Sequence, residues 1–270
     1  MIARMLAVAE VTIRRLMRSR LLWIGVAGSI LITAMLMSTM VNMVRFSSNG
    51  QLEGPTAVTH AAGNIVALLG AFATLVAYFI GVTVVRRDVV DGTVASVLSK
   101  PVSRGEYIVA SYIGAALFLF ALWAVFAVVL AVFSAGFKSP LPGSAYTDML
   151  GRCLVCVMTM AIAMAMSIRI HPWVAVVLTG LLLRGRDSVN ALADVLKLFG
   201  VRMPGSVAEA LKFPFPMRDA LNGLGSGLNE GALVERSIAA GVFHIIDYGL
   251  VMVLCAYLLF RTLEVNRVRE

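Results

Sequence analysis

The residues of this sequence best suited to chemistry at a metal are two cysteines and a series of methionines. Cys153 and Cys156 form a CxxC pair. The methionines that follow the pair are Met158, Met160, Met164 and Met166. Thiolates and thioethers suit Cu(I), but methionine is also a flexible apolar filler of helix contacts. Because the uneven spacing of these methionines does not bring them onto one helical face, we expect packing and no metal site.

Polar side chains inside the apolar runs form a second group of candidates. His244 and Asp247 are spaced i,i+3, and Asp148 and Arg152 are spaced i,i+4, so each pair can meet on one face of a helix. Further polar side chains of the same kind are His60 and Asn64. Ionisable groups within a membrane are functional suspects. A structural role is the favoured interpretation for each of them, and contact with a substrate is the alternative.

No catalytic set stands out in the sequence. A membrane protease or transferase needs several polar groups that converge at one depth, and the apolar runs offer none. The sequence also lacks a GxxxxGK[ST] phosphate-binding loop. We therefore expect no enzymatic activity and no cofactor on this chain.

The composition indicates an integral membrane protein. The chain is 60% hydrophobic and 14% charged, with a mean hydropathy of +0.89, whereas a soluble domain carries about 25% charged residues. Several apolar runs exceed the roughly 20 residues with which a helix crosses a bilayer. The net charge of +8 then reflects basic residues at the ends of spans and not nucleic-acid binding. The sequence predicts an all-α integral membrane protein.

The apolar runs divide the chain into an N-terminal helix and one transmembrane domain. Over residues 1–20 the helical periodicity predicts an amphipathic helix in the membrane interface. Its arginines, Arg4, Arg14, Arg15 and Arg18, are expected to be directed toward lipid phosphates. Residues 21–270 form the transmembrane domain, with an external segment at 188–236. Its six predicted spans are about 21–44, 60–85, 107–135, 149–168, 170–187 and 237–260. The fifth is short, and it is either a tilted helix or a helix broken near the outer surface.

Basic residues predict the orientation of these spans. With the N-terminus in the cytoplasm, the inner segments hold 13 lysines and arginines, whereas the short outer loops and their flanks hold 3. Positive charge concentrates in the cytoplasmic loops of membrane proteins. We therefore expect both the N-terminus and the C-terminus in the cytoplasm.

A polar segment, DGTVASVLSKPVSRGEY at 91–107, separates the second and third spans and is cytoplasmic in this topology. Gly92 and Thr93 suit the start of a short helix, and Pro101 ends it, because the residue before a proline is disfavoured in the α region. The apolar positions of this helix share one face at Val90, Val94, Val97 and Leu98.

A capping box follows the short helix. The Ser103 hydroxyl can accept from the Glu106 amide, and the Glu106 carboxylate can accept from the Ser103 amide. Val102 and Tyr107 occupy the positions of a hydrophobic staple. The third span therefore begins at a fixed place and angle, so that a force on the short helix would move it. An ordinary, well-capped loop between two spans is an equally supported alternative.

The polar segment resembles the corresponding stretch of ABC-2 type transporter permeases, and it is most similar to the subgroup of permease components involved in multi-copper enzyme maturation. The resemblance rests on Arg86-Arg87-Asp88, Gly92-Thr93, Leu98-Ser99-Lys100-Pro101-Val102-Ser103-Arg104 and Glu106-Tyr107. It extends more weakly over the whole chain. The chain departs from the family pattern at Asp88, where glutamate is frequent, and at "VASYIG" (109–114), where "LGKFLG" is frequent.

The resemblance implies an exporter-like fold with an N-terminal elbow helix and a cytoplasmic coupling helix, in a bacterial or archaeal cytoplasmic membrane. It implies a permease subunit, surrounded by lipid, that pairs with itself or with a homologous permease. A separate cytoplasmic ATPase subunit would bind ATP and Mg²⁺. The coupling segment that it implies is 86–104. The residues that it implies for coupling to the ATPase are Arg87, Asp88, Gly92, Thr93, Val94, Val97, Leu98, Lys100, Pro101, Ser103, Arg104 and Glu106. The alternative to ATP-driven export is a membrane scaffold or anchor that holds a cytoplasmic partner without transport.

Overall fold

The computed structural model of the chain is helical, with no strand in the part that it describes. It describes residues 2–19, 54–92, 103–136, 143–198 and 232–262, together with isolated positions within 23–35 and 204–212. The helices are α1 (Ile2–Met17), α2 (Gly54–Val84), α3 (Arg86–Val90), α4 (Arg104–Gly136), α5 (Gly143–Ser167), α6 (Pro172–Leu198) and α7 (Ala232–Arg261). The prediction of an all-α membrane protein is confirmed at this level.

Four apolar segments of the described residues are long enough to cross a membrane. They are Ile65–Val90, Arg104–Val132, Ala145–Ser167 and Val242–Arg261. These segments correspond to the second, third, fourth and sixth predicted spans. The first predicted span, 21–44, lies outside the described residues apart from isolated positions, so a total of six spans stays a prediction.

Helix α6 differs from the prediction for the fifth span. Its apolar part, Pro172–Gly185, is shorter than the four membrane-length segments, but the helix continues without a break to Leu198. The boundary predicted at residue 187 therefore falls inside a helix, and a helix broken near that residue is excluded. Hydropathy placed the boundary too early because residues after Arg184 are polar but include many good helix formers, such as alanine, leucine and lysine.

Helix α5 lies at the centre of the bundle. It packs against α2 and α7 and also contacts α4 and α6. Its buried side chains include Cys153, Cys156, Met158, Met160 and Met164, and the Cys156 sulfur lies 3.7 Å from the Thr74 hydroxyl of α2. In the described part of the chain, no group of three His, Cys, Asp or Glu side chains is placed to hold a metal. These buried cysteines and methionines pack in the contacts between helices.

Gly81 sets the distance between α2 and α5. A Cβ atom at this position would lie 2.6 Å from the Met160 carbonyl oxygen and 2.7 Å from the Ala163 Cβ, so neither helix has room for a side chain here. We expect Gly81→Ala to separate the helices and lower the free energy of unfolding by about 1–3 kcal/mol, which is the usual cost of overpacking. Thermal unfolding in detergent micelles measures this effect.

The matched control for Gly81→Ala is Gly180→Ala on α6. A Cβ at position 180 would meet the Tyr78 hydroxyl at 3.6 Å, an ordinary contact distance. This variant should therefore unfold at the temperature of the native chain or slightly above it, since alanine favours a helix more than glycine does. Equal unfolding temperatures for both variants would contradict the close contact at Gly81.

Candidate functional site

Arginines and one buried carboxylate join several chain segments at one end of the bundle. We call this end the basic face. It consists of α1, α3, the start of α4, the turn between α5 and α6, and the end of α7. Its connecting side chains are Arg15, Arg86, Asp88, Arg104 and Arg169.

Asp88 of α3 is the buried carboxylate of the basic face, with its side chain 11% exposed. Arg15 of α1 donates a hydrogen bond to its Oδ1, and the Tyr107 hydroxyl at the start of α4 donates to its Oδ2. A buried carboxylate is tolerated only when its charge and both oxygens have partners. The two contacts therefore join α1, α3 and α4 into one unit.

Arg86, the first residue of α3, links this unit to the end of α5. Its guanidinium donates to the Ser167 carbonyl oxygen at 3.1 Å and to the Ile170 carbonyl oxygen. The last carbonyl groups of a helix have no partner within the helix and carry partial negative charge. A guanidinium is therefore a favourable partner for them, and α3 is fixed to the turn that leads into α6.

Two further arginines bind the end of α7. Arg104 of α4 donates to the Arg261 carbonyl oxygen at 3.0 Å, and Arg169 donates to the Thr262 hydroxyl at 2.6 Å. The end of α7 and the N-terminal helix α1 therefore lie at the same end of the bundle. Helices α2, α5 and α7 run toward the basic face, whereas α4 and α6 run away from it.

The capping box predicted at the start of α4 is confirmed. The Glu106 amide donates to the Ser103 hydroxyl at 3.1 Å, and the Ser103 amide donates to the Glu106 carboxylate at 2.8 Å. The Tyr107 amide also donates to the Ser103 carbonyl oxygen at 3.0 Å. These bonds fix the residue at which α4 begins, close to the tyrosine that reaches Asp88.

Helix α1 packs along α4 through a face that contains Ala9, Thr12 and Leu16. Gly114 of α4 permits this contact, because a Cβ there would lie 2.7 Å from the Ala9 carbonyl oxygen. The helix predicted in this region is present, but the predicted direction of Arg15 is wrong. Arg15 pairs with Asp88 instead of projecting freely toward lipid, since the packing of α1 on α4 brings it within reach of the buried carboxylate.

The predicted coupling residues fall into three groups. Asp88, Ser103, Arg104 and Glu106 belong to the basic face. Arg87 is exposed and lies 3.5 Å from Asp91, and half-buried Gly92 follows that pair. The others lie outside the described residues: Thr93, Val94, Val97, Leu98, Lys100 and Pro101.

Gly92 corrects one detail of the predicted coupling helix. Its φ of 69° is the left-handed conformation that ends helices and that glycine adopts without strain. Val90 therefore belongs to α3 and does not share a helix with positions after Gly92. Both ends of the segment 93–102, at Gly92 and Ser103, lie at the basic face.

Of the two predicted polar pairs, only the one on α5 forms among the described contacts. The Arg152 Nε donates to the Asp148 carboxylate at 3.0 Å. His244 and Asp247 do not bond to each other: the imidazole lies against the Tyr248 ring, with centroids 6.2 Å apart, and its Nε2 is buried without a hydrogen-bond partner in the described part of the chain. His60 and Asn64 lie on α2, but their side chains are outside the described residues.

Comparison with known families agrees with this architecture. The model of the ABC-2 family transporter protein matches residues 6–179, which is more than half of the 270 residues and includes α1 through the start of α6. No curated protein matches the chain. The match contains every part of the basic face except the end of α7. The chain therefore belongs to the ABC-2 transporter family and is a membrane permease component.

Proposed function

We propose that the chain is the membrane-spanning subunit of an ABC-2 exporter, that it pairs with itself or with a homologous permease, and that a separate cytoplasmic ATPase drives it. The family in general implies a cytoplasmic ABC ATPase partner. The observation that carries the proposal is buried Asp88, which joins α1, α3 and α4 beside both ends of the segment 93–102. The similarity of that segment to the multi-copper enzyme maturation subgroup stays a prediction.

The contacts of the basic face supply a path for force. A push on residues 93–102 acts on α3 through Gly92 and on α4 through the capping box at Ser103. From α3 the displacement reaches the end of α5 through Arg86, and from α4 it reaches the end of α7 through Arg104. Closure of an ATPase dimer could therefore rock several spans together, because packed elements shift as rigid bodies between discrete arrangements.

The distribution of charge supports a cytoplasmic location for the basic face. It concentrates arginines of α1, α3, α4 and the α5–α6 turn at one end of the bundle, as expected for the cytoplasmic side. We therefore place both termini in the cytoplasm of a bacterial or archaeal cell. The segment between α6 and α7 then lies outside.

Co-purification tests the function. Extraction of the chain from its native membrane in mild detergent should bring with it an ATPase that carries a phosphate-binding loop, and ATP hydrolysis by that protein should depend on the permease. Absence of any such ATPase would contradict the proposal. An ATPase that binds but shows no turnover dependent on the permease would favour a membrane scaffold.

A charge in the segment 93–102 should weaken that complex. Val97→Asp places a carboxylate on the apolar face predicted for this segment, where an unpaired charge would be buried against the ATPase at a cost of several kcal/mol. We expect normal membrane insertion and at least a tenfold loss of ATPase binding. The control is Ser99→Asp, on the opposite side of the helical pattern. Equal binding by both variants would locate the ATPase contact elsewhere.

A further inference from the structure

A cavity of about 460 Å³ lies between α2, α5 and α6. The side chains that give it chemical character are Arg152, Arg184, Thr74 and Tyr78, and Gly70 and Gly180 leave it open. Arg152 lies in the first half of α5, which ends at the basic face, and Arg184 lies near the middle of α6, which begins there. The number of residues between each arginine and the helix end at the basic face, multiplied by the axial rise of a helix, gives a distance of roughly 20 Å. The cavity therefore lies in the opposite half of the bundle.

Arg152 is positioned for a ligand in this cavity. Asp148 binds its Nε at 3.0 Å, and the terminal nitrogens make no hydrogen bond within the described residues. Gly70 provides the space for the side chain, because a Cβ at that position would lie 2.8 Å from the Arg152 Cδ. The carboxylate thus holds the guanidinium in place, and the glycine lets it lie at the cavity wall.

Arg184 adds a second positive charge, and in the described part of the chain it has no acidic partner. Asp187 lies one turn further along α6 and makes no ion pair with it. The cavity is lined by two guanidinium groups, and the one carboxylate beside them, Asp148, pairs with Arg152, so the described side chains leave a net positive charge. Two guanidinium groups at one cavity wall repel each other, and an anion that binds both would offset this repulsion.

The shape of the cavity and its surroundings indicate the class of anion. Its volume is in the range of roughly 300–1,000 Å³ typical of small-molecule sites. Arginine binds the oxygens of a phosphate through paired N–H donors, and Thr74 and Tyr78 add hydroxyl groups to the wall. On the outer side of α6, Val177 and Leu181 are exposed apolar side chains that can contact acyl chains.

We propose that this cavity binds the phosphate group of an anionic amphiphile, with Arg152 and Arg184 as its ligands. The acyl chains would lie along α6 beside Val177 and Leu181. The inference goes beyond the proposed function, because binding here requires neither an ATPase nor transport. It concerns a second site, at the end of the bundle opposite the basic face.

Lipid retention tests the proposal. The full chain is purified into nanodiscs that contain phosphatidylglycerol and phosphatidylcholine, and bound lipid is then measured by native mass spectrometry after release from the discs. We expect the native chain to retain phosphatidylglycerol and Arg184→Gln to retain at least tenfold less. Gly180→Leu should have a similar effect, since its Cβ meets the Tyr78 hydroxyl at an ordinary 3.6 Å and the rest of its side chain fills the cavity.

The control variant is Arg14→Gln, which removes an equal charge from an exposed position on α1 that pairs with Glu10. It should retain as much phosphatidylglycerol as the native chain. A second experiment adds inorganic phosphate as a competitor. Displacement of the lipid at millimolar phosphate would show that free phosphate is a sufficient ligand. If the lipid stays bound, the acyl chains contribute to binding. Equal retention by the native chain, Arg184→Gln and Gly180→Leu would overturn the proposal.

Discussion

Asp88→Ala should lower the free energy of unfolding by about 3 kcal/mol and abolish stimulation of the ATPase. Removal of one partner from a buried ion pair costs about 3–5 kcal/mol, and the 40% exposure of the Arg15 side chain places the expected value at the lower end. The substitution also leaves the Tyr107 hydroxyl without its acceptor. Unfolding in bicelles measures the stability, and ATP hydrolysis by the reconstituted complex measures the coupling.

The matched control for Asp88→Ala is Glu10→Ala, which breaks the exposed pair between Glu10 and Arg14. Because those side chains are 61% and 71% exposed, the change should cost less than about 1 kcal/mol and leave ATPase stimulation intact. Asp88→Asn is informative as well, since it keeps the shape and an acceptor for Tyr107 but removes the charge. If Asp88→Ala were as stable as Glu10→Ala, the carboxylate would not join the three helices as proposed.

The parts of the fold that were predictable depend on local patterns. Apolar runs of membrane-crossing length identify α2, α4, α5 and α7, because the cost of leaving a backbone unpaired in lipid forces such runs into helices. The capping box at Ser103 and Glu106 was also predictable, since both partners lie within one turn. Both patterns involve residues that are close in the sequence, so they can be recognised without knowledge of how the helices are arranged.

The parts that were not predictable depend on packing between distant segments. Arg15 and Asp88 are 73 residues apart, and nothing in the local pattern distinguishes Arg15 from the exposed Arg14 beside it. The predicted pair of His244 and Asp247 has suitable helical spacing, yet neighbouring helices bury part of the imidazole while Asp247 stays exposed. Periodicity gives the face of a helix, whereas the partner of that face follows from the tertiary arrangement.

The contact at Gly81 relates the two ends of the bundle to each other. It brings α2 and α5 to backbone distance, so the two helices are expected to move together. Arg86 and Ser167 hold this pair at the basic face, and Gly70 and Arg152 lie on the same two helices at the cavity. A displacement of α3 would therefore be expected to change the wall of the cavity.

Gly114→Leu should have an effect as large as that of Asp88→Ala. A Cβ at position 114 would lie 2.7 Å from the Ala9 carbonyl oxygen and 3.0 Å from the Ala9 Cα. Backbone atoms cannot rotate away as a side chain can, so α1 must leave α4. We expect a loss of about 3 kcal/mol, at the upper end of the range for overpacking, together with rapid proteolysis of α1 in nanodiscs and loss of ATPase stimulation.

Displacement of α1 would also move Arg15 away from Asp88. The Gly114→Leu variant should therefore lose both the packing of α1 on α4 and the Arg15–Asp88 contact. If one displacement causes both losses, Gly114→Leu and Arg15→Ala will be strongly non-additive, because the second substitution removes a contact that the first has already broken. The control is Ile113→Leu, which keeps an aliphatic side chain at the neighbouring, 39% exposed position and should leave α1 protected from protease. Additive losses from Gly114→Leu and Arg15→Ala would show instead that α1 packing and the Asp88 contact stabilise the basic face independently.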